Sequence, residues 1–443
     1  MRRRKVAASN IDINSPQRAS SDARRAAVGL LLHERRAQAG LSRAVLAARA
    51  GVSQATLLAL ESGQRLPGRA TLERILRVRE LGLDRGLIAL LLRLAGGWSA
   101  PSSAPSSALS DDGGRALNWL VTPGYNGVQL VADHARFVRG GGGHVEQSGA
   151  YLDHHSAHAF LRTLHAPTEA ARHRDGFPLA AVAEGLLAVA APPLHLVALG
   201  PGDGALEVAL VQALLRAGTP PDVELCLLEL SQPLLSVAYQ RAAGVFGTGG
   251  EGGAYAFAVQ GSFHALPAYP LYHRLVGERR RRVFLLLGLT LGSLDDERRL
   301  LGDGLAAVSE RGDCLLVDCV LAPAGAPVAA ALRPGDPLLT DGLHPLQREW
   351  LAGPLRRAEE DAEVELALRL EPARQPGGYA LDAVATVRAP GRAERRFVVF
   401  RFRRHAAGAL ATTMAQSGWR LVASWERALQ GALRSAIFLF QRR

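Results

Sequence analysis

From His195 to Leu321 the chain alternates apolar runs with helical text, the runs being HLVAL, ELCLLEL, AYAFAV, RVFLLLG and CLLVDCVL. Strand and helix repeated in this way predict parallel βαβ units wound about an open α/β sheet. The first run ends in Gly200-Pro-Gly202-Asp203-Gly204 and leads into the helical text ALEVALVQALLRAG. Glycines between a strand and a helix let a ligand approach the backbone closely, and the helix N-terminus favours a carboxylate or phosphate. Nucleotide sites and purely structural turns share that glycine pattern. One βα unit later Glu229 ends the next strand, where an acid can accept both hydroxyls of a ribose.

At 443 residues, 48% of them hydrophobic, the chain is long enough for more than one core. Residues 1–21 are polar and basic with no period, as in a disordered basic arm. Residues 22–95 keep helical periodicity throughout and predict a small all-α domain. The run WSAPSSAPSSALSDDGG interrupts every pattern, placing a flexible linker at 96–114. Residues 115–443 then form the α/β domain, with a core at 190–325 and 396–443, an accessory part at 115–189 and an insertion or lid at 326–395. Its tail reads strand (FVVFRF), helix (HAAGALATTMAQSG) and two strands (RLVASWE, AIFLF).

The net charge of +11 suits a nucleic-acid partner, yet Lys5 is the only lysine, an arginine bias expected of a GC-rich bacterial genome. More weight falls on the local basic excess around MRRRK and RAQAGLSR in the first 80 residues. Cys226, Cys314 and Cys319 sit inside apolar runs and read as core thiols in a reducing compartment. With no signal-type apolar segment at the start and no run long enough to span a bilayer, a cytoplasmic protein without membrane contact is expected.

Between Leu30 and Pro67 the text LLLHERRAQAGLSRAVLAARAGVSQATLLALESGQRLP holds two short helices around a Gly-Val-Ser turn. The second helix spans Arg43 to Ala50, Gly51 supplies a left-handed turn, and Ser53 caps a third helix over 53–61. This text resembles the phage-repressor (Xre, Cro/CI-like) helix-turn-helix family, whose third helix enters the major groove of double-stranded DNA. The resemblance implies DNA contacts from Arg43, Ser53, Gln54, Ala55 and Thr56, with Gln54 reading a base and Thr56 or Arg43 meeting a phosphate. It also implies a buried ion pair between Arg36 and Glu61, and the paired half-sites such proteins read imply a homodimer.

GPGDG followed by LELSQPLL resembles class I methyltransferases, and VFLLLGLTLGSLDDERRLL is similar to a segment of the histidine-specific methyltransferase family of the ergothioneine pathway. The resemblance implies a Rossmann-like fold and S-adenosyl-L-methionine as cofactor. It places Gly200, Gly202 and Gly204 beside the methionine part, with Asp203 among the cofactor contacts, and Glu229 on the ribose. Gly261, Ser262 and Phe263 would border the adenine, while Gly288, Thr290 and Gly292 would line the cleft. The chain departs from the family at Ala198, where an acid is usual before the glycines, at Ser262, which replaces an acid, and at Ser293, which replaces an Asn. The family's tyrosine and asparagine pattern for its substrate is not found, so histidine does not carry over as substrate.

Seven of thirteen histidines lie between His134 and His173, densest at His154, His155 and His158 beside Asp153. A polar surface, a base in a substrate pocket and a metal site remain open for them, although no third ligand or cysteine pair supports a metal. Tyr125 and Asp318 are candidates for holding a substrate amine or hydroxyl, with packing and loop capping as their plainer roles. Residues 247–253 read as a flexible loop and Arg279 to Arg282 as a solvated turn or an extension of a basic face. Methyl transfer is mainly alignment of nucleophile and methyl, so spacing names no catalytic residue. Three functions are compatible with this text. The first is a DNA-binding transcriptional regulator whose second domain takes S-adenosylmethionine, or its demethylated product, as effector. The second is an active methyltransferase acting on a small amine, with the helix-turn-helix serving autoregulation. The third is a dimerisation scaffold that has lost the cofactor.

Overall fold

The computed structural model describes residues 28, 32, 36, 39–61, 65, 67–81, 119–122, 125–166, 168, 173–217, 223–246, 254–268, 281–294, 296–322, 336–372, 378–429 and 433–443. The expected arm at 1–21, the linker at 96–114, the loop at 247–253 and Arg279 and Arg280 lie outside them. The chain divides into two compact units, Met1–Asn118 and Trp119–Arg443.

In the first unit three helices are described in full, α1 (Arg43–Ala50), α2 (Gln54–Glu61) and α3 (Arg69–Leu76). Ser42 Oγ accepts the N–H of Val45 and starts α1, and Gly51, at φ +62, ends it in the left-handed region that a side chain disfavours. Two residues on, Ser53 Oγ accepts the N–H of Thr56 at 3.1 Å and opens α2. The tight αL turn between two capped helices thus follows from three small residues. Leu46, Leu57, Leu60, Leu72 and Ile75 are fully buried with Val28 and Leu32. Spacing of four places Val28, Leu32 and Arg36 on one helical face.

The twelve described strands of the second unit form one sheet. In chain order they are β1 (Trp119–Val121), β2 (Gly143–His144), β3 (Leu194–Leu199), β4 (Val223–Glu229), β5 (Ala254–Gln260), β6 (Arg281–Leu286), β7 (Cys314–Leu321), β8 (Glu363–Pro372), β9 (Tyr379–Arg388), β10 (Arg395–His405), β11 (Trp419–Ala428) and β12 (Arg434–Arg442). The order across the sheet is β1-β5-β4-β3-β6-β7-β10-β9-β8, with β12 on β7 and β11 on β12. Strands β3, β4, β5, β6 and β7 run parallel, and every residue of β3, β4 and β7 is buried. Burial on both faces is why these strands read as unbroken apolar runs. The block 326–395, expected as an insertion or lid, supplies β8 and β9, which continue the same sheet through antiparallel pairing with β10.

Helices α4 (Gly127–Gly140), α5 (His154–Thr163), α6 (Leu179–Leu187), α7 (Ala205–Arg216) and α8 (Gln232–Phe246) precede or connect the first parallel strands. Leu210, Leu214, Leu235 and Ala242 of α7 and α8 enter one apolar core with Leu196, Leu225 and Leu285 of the sheet. A second core joins Trp350, Leu351 and Leu355, from a helix at Pro345–Ala358, to Tyr379, Leu381, Phe397 and Phe400 of the antiparallel strands. Strand β3 has β4 on one side and β6 on the other, so the chain leaves it in one direction and later returns on the opposite side. At such a topological switch point the connections diverge and leave a crevice at the carboxyl ends of the strands.

Candidate functional site

A cavity lies at those carboxyl ends, bordered by Gly200, Gly202 and Asp203 after β3, Glu229 at the end of β4, Ser262 and Phe263 after β5, and Gly288 and Thr290 after β6. Eight residues expected at a cofactor site therefore share one wall. Gly200 and Gly202 adopt φ +69 and +59, and a Cβ on Gly200 would press within 3.2 Å of Phe263. The turn needs both the left-handed backbone and the missing side chain at Gly200.

Gly204 and Gly261 do something else, since neither borders the cavity. A Cβ on Gly204 would meet Ala238 of α8 at 2.9 Å, and one on Gly261 would meet Thr122 at 2.4 Å. These two glycines admit neighbouring backbone and side chains rather than a ligand. Gly292, which does border the cavity, would bring a Cβ to 3.2 Å from the carbonyl oxygen of Arg403.

Glu229 is 8% exposed, and its carboxylate accepts the backbone N–H of Ser231 at 2.9 Å, together with those of Gly202 and Leu230. Burial, outweighing those donors, lifts its pKa from 4.5 to about 7. A carboxylate offers about four acceptor positions, so three amide donors leave about one for a ribose hydroxyl rather than the pair expected. Asp203 has less to spare: it faces Arg241 at 3.1 Å and Arg174 at 3.4 Å, and accepts the N–H of Ala205 at the start of α7. Ser262 Oγ accepts the N–H of His264, and Thr290 Oγ1 donates to the carbonyl of Leu287 at 2.7 Å, so both shape their loops.

Asp318 is fully buried inside β7 and does not border the cavity. Its oxygens accept the N–H groups of Gly288 and Leu289 at 2.9 Å each, and lie 2.7 Å from His173 Nε2. Its candidacy as a substrate anchor gives way to a positioning role, because those three partners occupy the carboxylate. Tyr125 likewise lies off the cavity and donates to the carbonyl of Leu230 at 2.9 Å. His154, His155 and His158 are exposed on α5, whose N-cap is Asp153.

Sequence reasoning did not single out several residues that border this cavity. His173, 1% exposed, and Glu207, 3% exposed, are two of them. A further wall is aromatic: Tyr151, Phe160, Trp350, Phe400 and Phe402 form a chain of rings with centroids 4.9 to 5.2 Å apart. The arginines beside it are each matched by a carboxylate, Arg401 to Asp382, Arg403 to Glu297 and Arg404 to Asp336. A lone acid in the apolar helical text of 205–214 marks Glu207 in retrospect, whereas His173 meets Asp318 across 145 positions and leaves no local signal.

In the first unit Gln54 and Ala55 are exposed on α2, Thr56 is half-buried, and Leu58 is 49% exposed. Ser53 is exposed with its Oγ engaged in the cap and against Thr56 Oγ1 at 2.9 Å. Arg36 donates to both oxygens of Glu61, at 2.5 and 3.1 Å, and so ties its own segment to α2. Arg43 Nε also donates to Glu61, at 2.6 Å, while 43% of its side chain stays exposed. Among the described residues no helix is long and apolar enough to cross a membrane.

No curated protein sequence matches the chain. Among solved structures it is similar to the glycopeptide N-methyltransferase MtfA complexed with sinefungin, at 15% identity over 60% of this chain and 86% of that one, with a TM-score of 0.31. It is similar to SAM-bound CalS10, an amino pentose methyltransferase from Micromonospora echinaspora, at 15% identity over 65% and 96%, with a TM-score of 0.32. A third is the 1,6-didemethyltoxoflavin-N1-methyltransferase of Burkholderia thailandensis, at 12% identity over 65% and 84%, with a TM-score of 0.35. Residues 27–91 match the family model described as a helix-turn-helix domain, so the first unit carries a helix-turn-helix domain.

Proposed function

We propose that the protein is a DNA-binding transcriptional regulator whose second unit binds S-adenosyl-L-methionine or its demethylated product. The observation that carries the ligand is the cavity at the switch point, where two glycines at positive φ and the buried carboxylate of Glu229 come together at the strand ends. The residues fit the group: the glycine turn gives an elongated ligand backbone access, and Glu229 keeps an acceptor position for a ribose. DNA binding is supported by the capped α2, with Gln54 and Ala55 exposed and its core face held by Arg36 and Glu61. A helix so placed enters a major groove with its first residues toward the bases. Paired half-sites suit a homodimer. The narrower likeness to the histidine-specific family rests on residues 283–301 and does not bring its substrate with it.

The aromatic wall favours a second reading. S-adenosylmethionine, when bound, supplies a methyl group on a sulfonium, and rings at Tyr151, Phe160, Trp350, Phe400 and Phe402 offer a surface on which a small, uncharged or cationic acceptor would be held for transfer. The paired arginines leave that surface poorly suited to an anion. Calorimetric titration of the full chain with S-adenosylmethionine and with S-adenosylhomocysteine tests both readings. Dissociation constants in the micromolar range are expected; no heat with either ligand overturns the cofactor assignment and leaves the helix-turn-helix alone.

A further inference from the structure

We infer that Glu207 and His173 form the subsite that receives the ammonium group of the amino-acid half of S-adenosylmethionine or S-adenosylhomocysteine. The inference rests on the cofactor reading above and identifies which residues of this chain replace the acid missing at Ala198.

Four buried acids gather at the glycine turn, and three are already engaged. Asp203 has two arginines and a backbone amide, Glu229 has three amides, and Asp318 has two amides and His173. Glu207 stands in the first turn of α7, directly after the glycines, borders the cavity, and among the described residues is hydrogen-bonded by its own backbone N–H alone. Among the described residues ion pairing is found at Asp203 and not at Glu207, although the charge of Arg241 draws the Glu207 carboxyl down.

His173 contributes the independent observation. With Nε2 at 2.7 Å from Asp318, whose oxygens also accept two amides, the tautomer that donates from Nε2 leaves Nδ1 as an acceptor. That Nδ1 is buried and has no hydrogen-bond partner, and His173 borders the same cavity as Glu207. Asp318 ties the two residues together, since it holds the imidazole and its charge reaches Glu207. Glu207 has one amide donor and His173 Nδ1 none among the described residues, which suits a group that only donates, and an alkylammonium offers three N–H donors. Burial holds the Glu207 carboxyl protonated near neutral pH, with a pKa of about 8, so an incoming ammonium finds an acid that ionises against it rather than a standing charge.

The test uses the full chain and three probes in calorimetry: S-adenosylmethionine, S-adenosylhomocysteine, and 5′-methylthioadenosine, which keeps the nucleoside and lacks the ammonium and carboxylate. Glu207→Gln is expected to bind the first two about tenfold more weakly and 5′-methylthioadenosine within twofold of wild type. His173→Gln is expected to show the same selective loss, and it decides the matter alone where Glu207→Gln fails to fold. Equal affinity of both variants for all three probes, or an equal loss for all three, overturns the subsite while leaving the cofactor reading intact. A wild-type chain that binds none of the three removes the cofactor reading and the subsite with it.

Discussion

Leu289 is the one non-glycine residue at positive φ, +67, among the described residues. Such a backbone costs about 1 kcal/mol or more, and here it is held by Asp318, which accepts the successive N–H groups of Gly288 and Leu289. Strain at the cavity rim is thus offset by a carboxylate buried beneath it. The buried acids carry a second cost with a definite sign. Glu207 and Glu229 are raised from 4.5 to about 8 and about 7, chiefly by burial. Asp203 and Asp318 push Glu207 further up and Arg241 draws it down. Between pH 4.5 and those values the folded chain keeps protons that the unfolded chain releases, so stability contributed by protonated Glu207 and Glu229 falls as pH rises. The slope is up to about 1.4 kcal/mol per pH unit for each group inside its window. Calorimetric melting of wild type and Glu207→Gln between pH 5.5 and 7.5 is expected to show the variant gaining on wild type by about 1 kcal/mol per pH unit. A difference between the two that does not change with pH, or that moves in favour of wild type as pH rises, would show that Glu207 ionises normally.

At the scale of elements, the helix-turn-helix separates two jobs that lie on one helix. Leu57, Leu60 and Glu61 of α2 face the unit's core, whereas Gln54 and Ala55 are exposed. Glu61→Ala would leave the largely buried Arg36 without its carboxylate, and a loss of about 3 kcal/mol is expected from the first unit. Gln54→Ala is expected to leave melting unchanged and to weaken binding to the best sequence selected from a random DNA pool by about tenfold, with nonspecific binding untouched. Affinity equal to that of wild type on both the selected and the nonspecific DNA would remove Gln54 from base readout. Sequence alone places α1 between Arg43 and Ala50, because Gly51 and the serine caps are local signals. Strands β3 to β7 fall on the apolar runs because burial on both faces suppresses polar alternation. Strands β8 and β9 were not legible as part of the sheet: Glu363, Glu365 and Arg369 interrupt the apolar pattern, although the two pair as a hairpin with Pro372 opposite Tyr379. The site was legible where backbone geometry demanded glycine, at Gly200 and Gly202. It was opaque where distant segments meet, as at His173 and Asp318, and its glycines at 204 and 261 looked like ligand contacts because packing demands the same missing Cβ.

Across the whole molecule, the residues bordering the cavity all belong to the unit Trp119–Arg443. A chain beginning at Trp119 is therefore expected to bind S-adenosylhomocysteine within twofold of the full protein. A loss of more than tenfold in calorimetry would mean that residues before 119 complete the site. Within that unit, β7 changes neighbours along one edge. Over Cys314–Val317 it pairs with β6, and at Val320 and Leu321 it pairs with β10, while β12 accompanies its other edge throughout. The glycine turn and Glu229 ride on the parallel strands, and Phe400 and Phe402 ride on β10. Asp318 falls in the gap between the two pairings. The sheet is creased there, so the cavity resembles the gutter of an open book: one page carries the nucleotide-facing wall, the other the rings, and only two residue pairs stitch β10 to the spine. A molecule lying in the gutter would fix the angle between the pages.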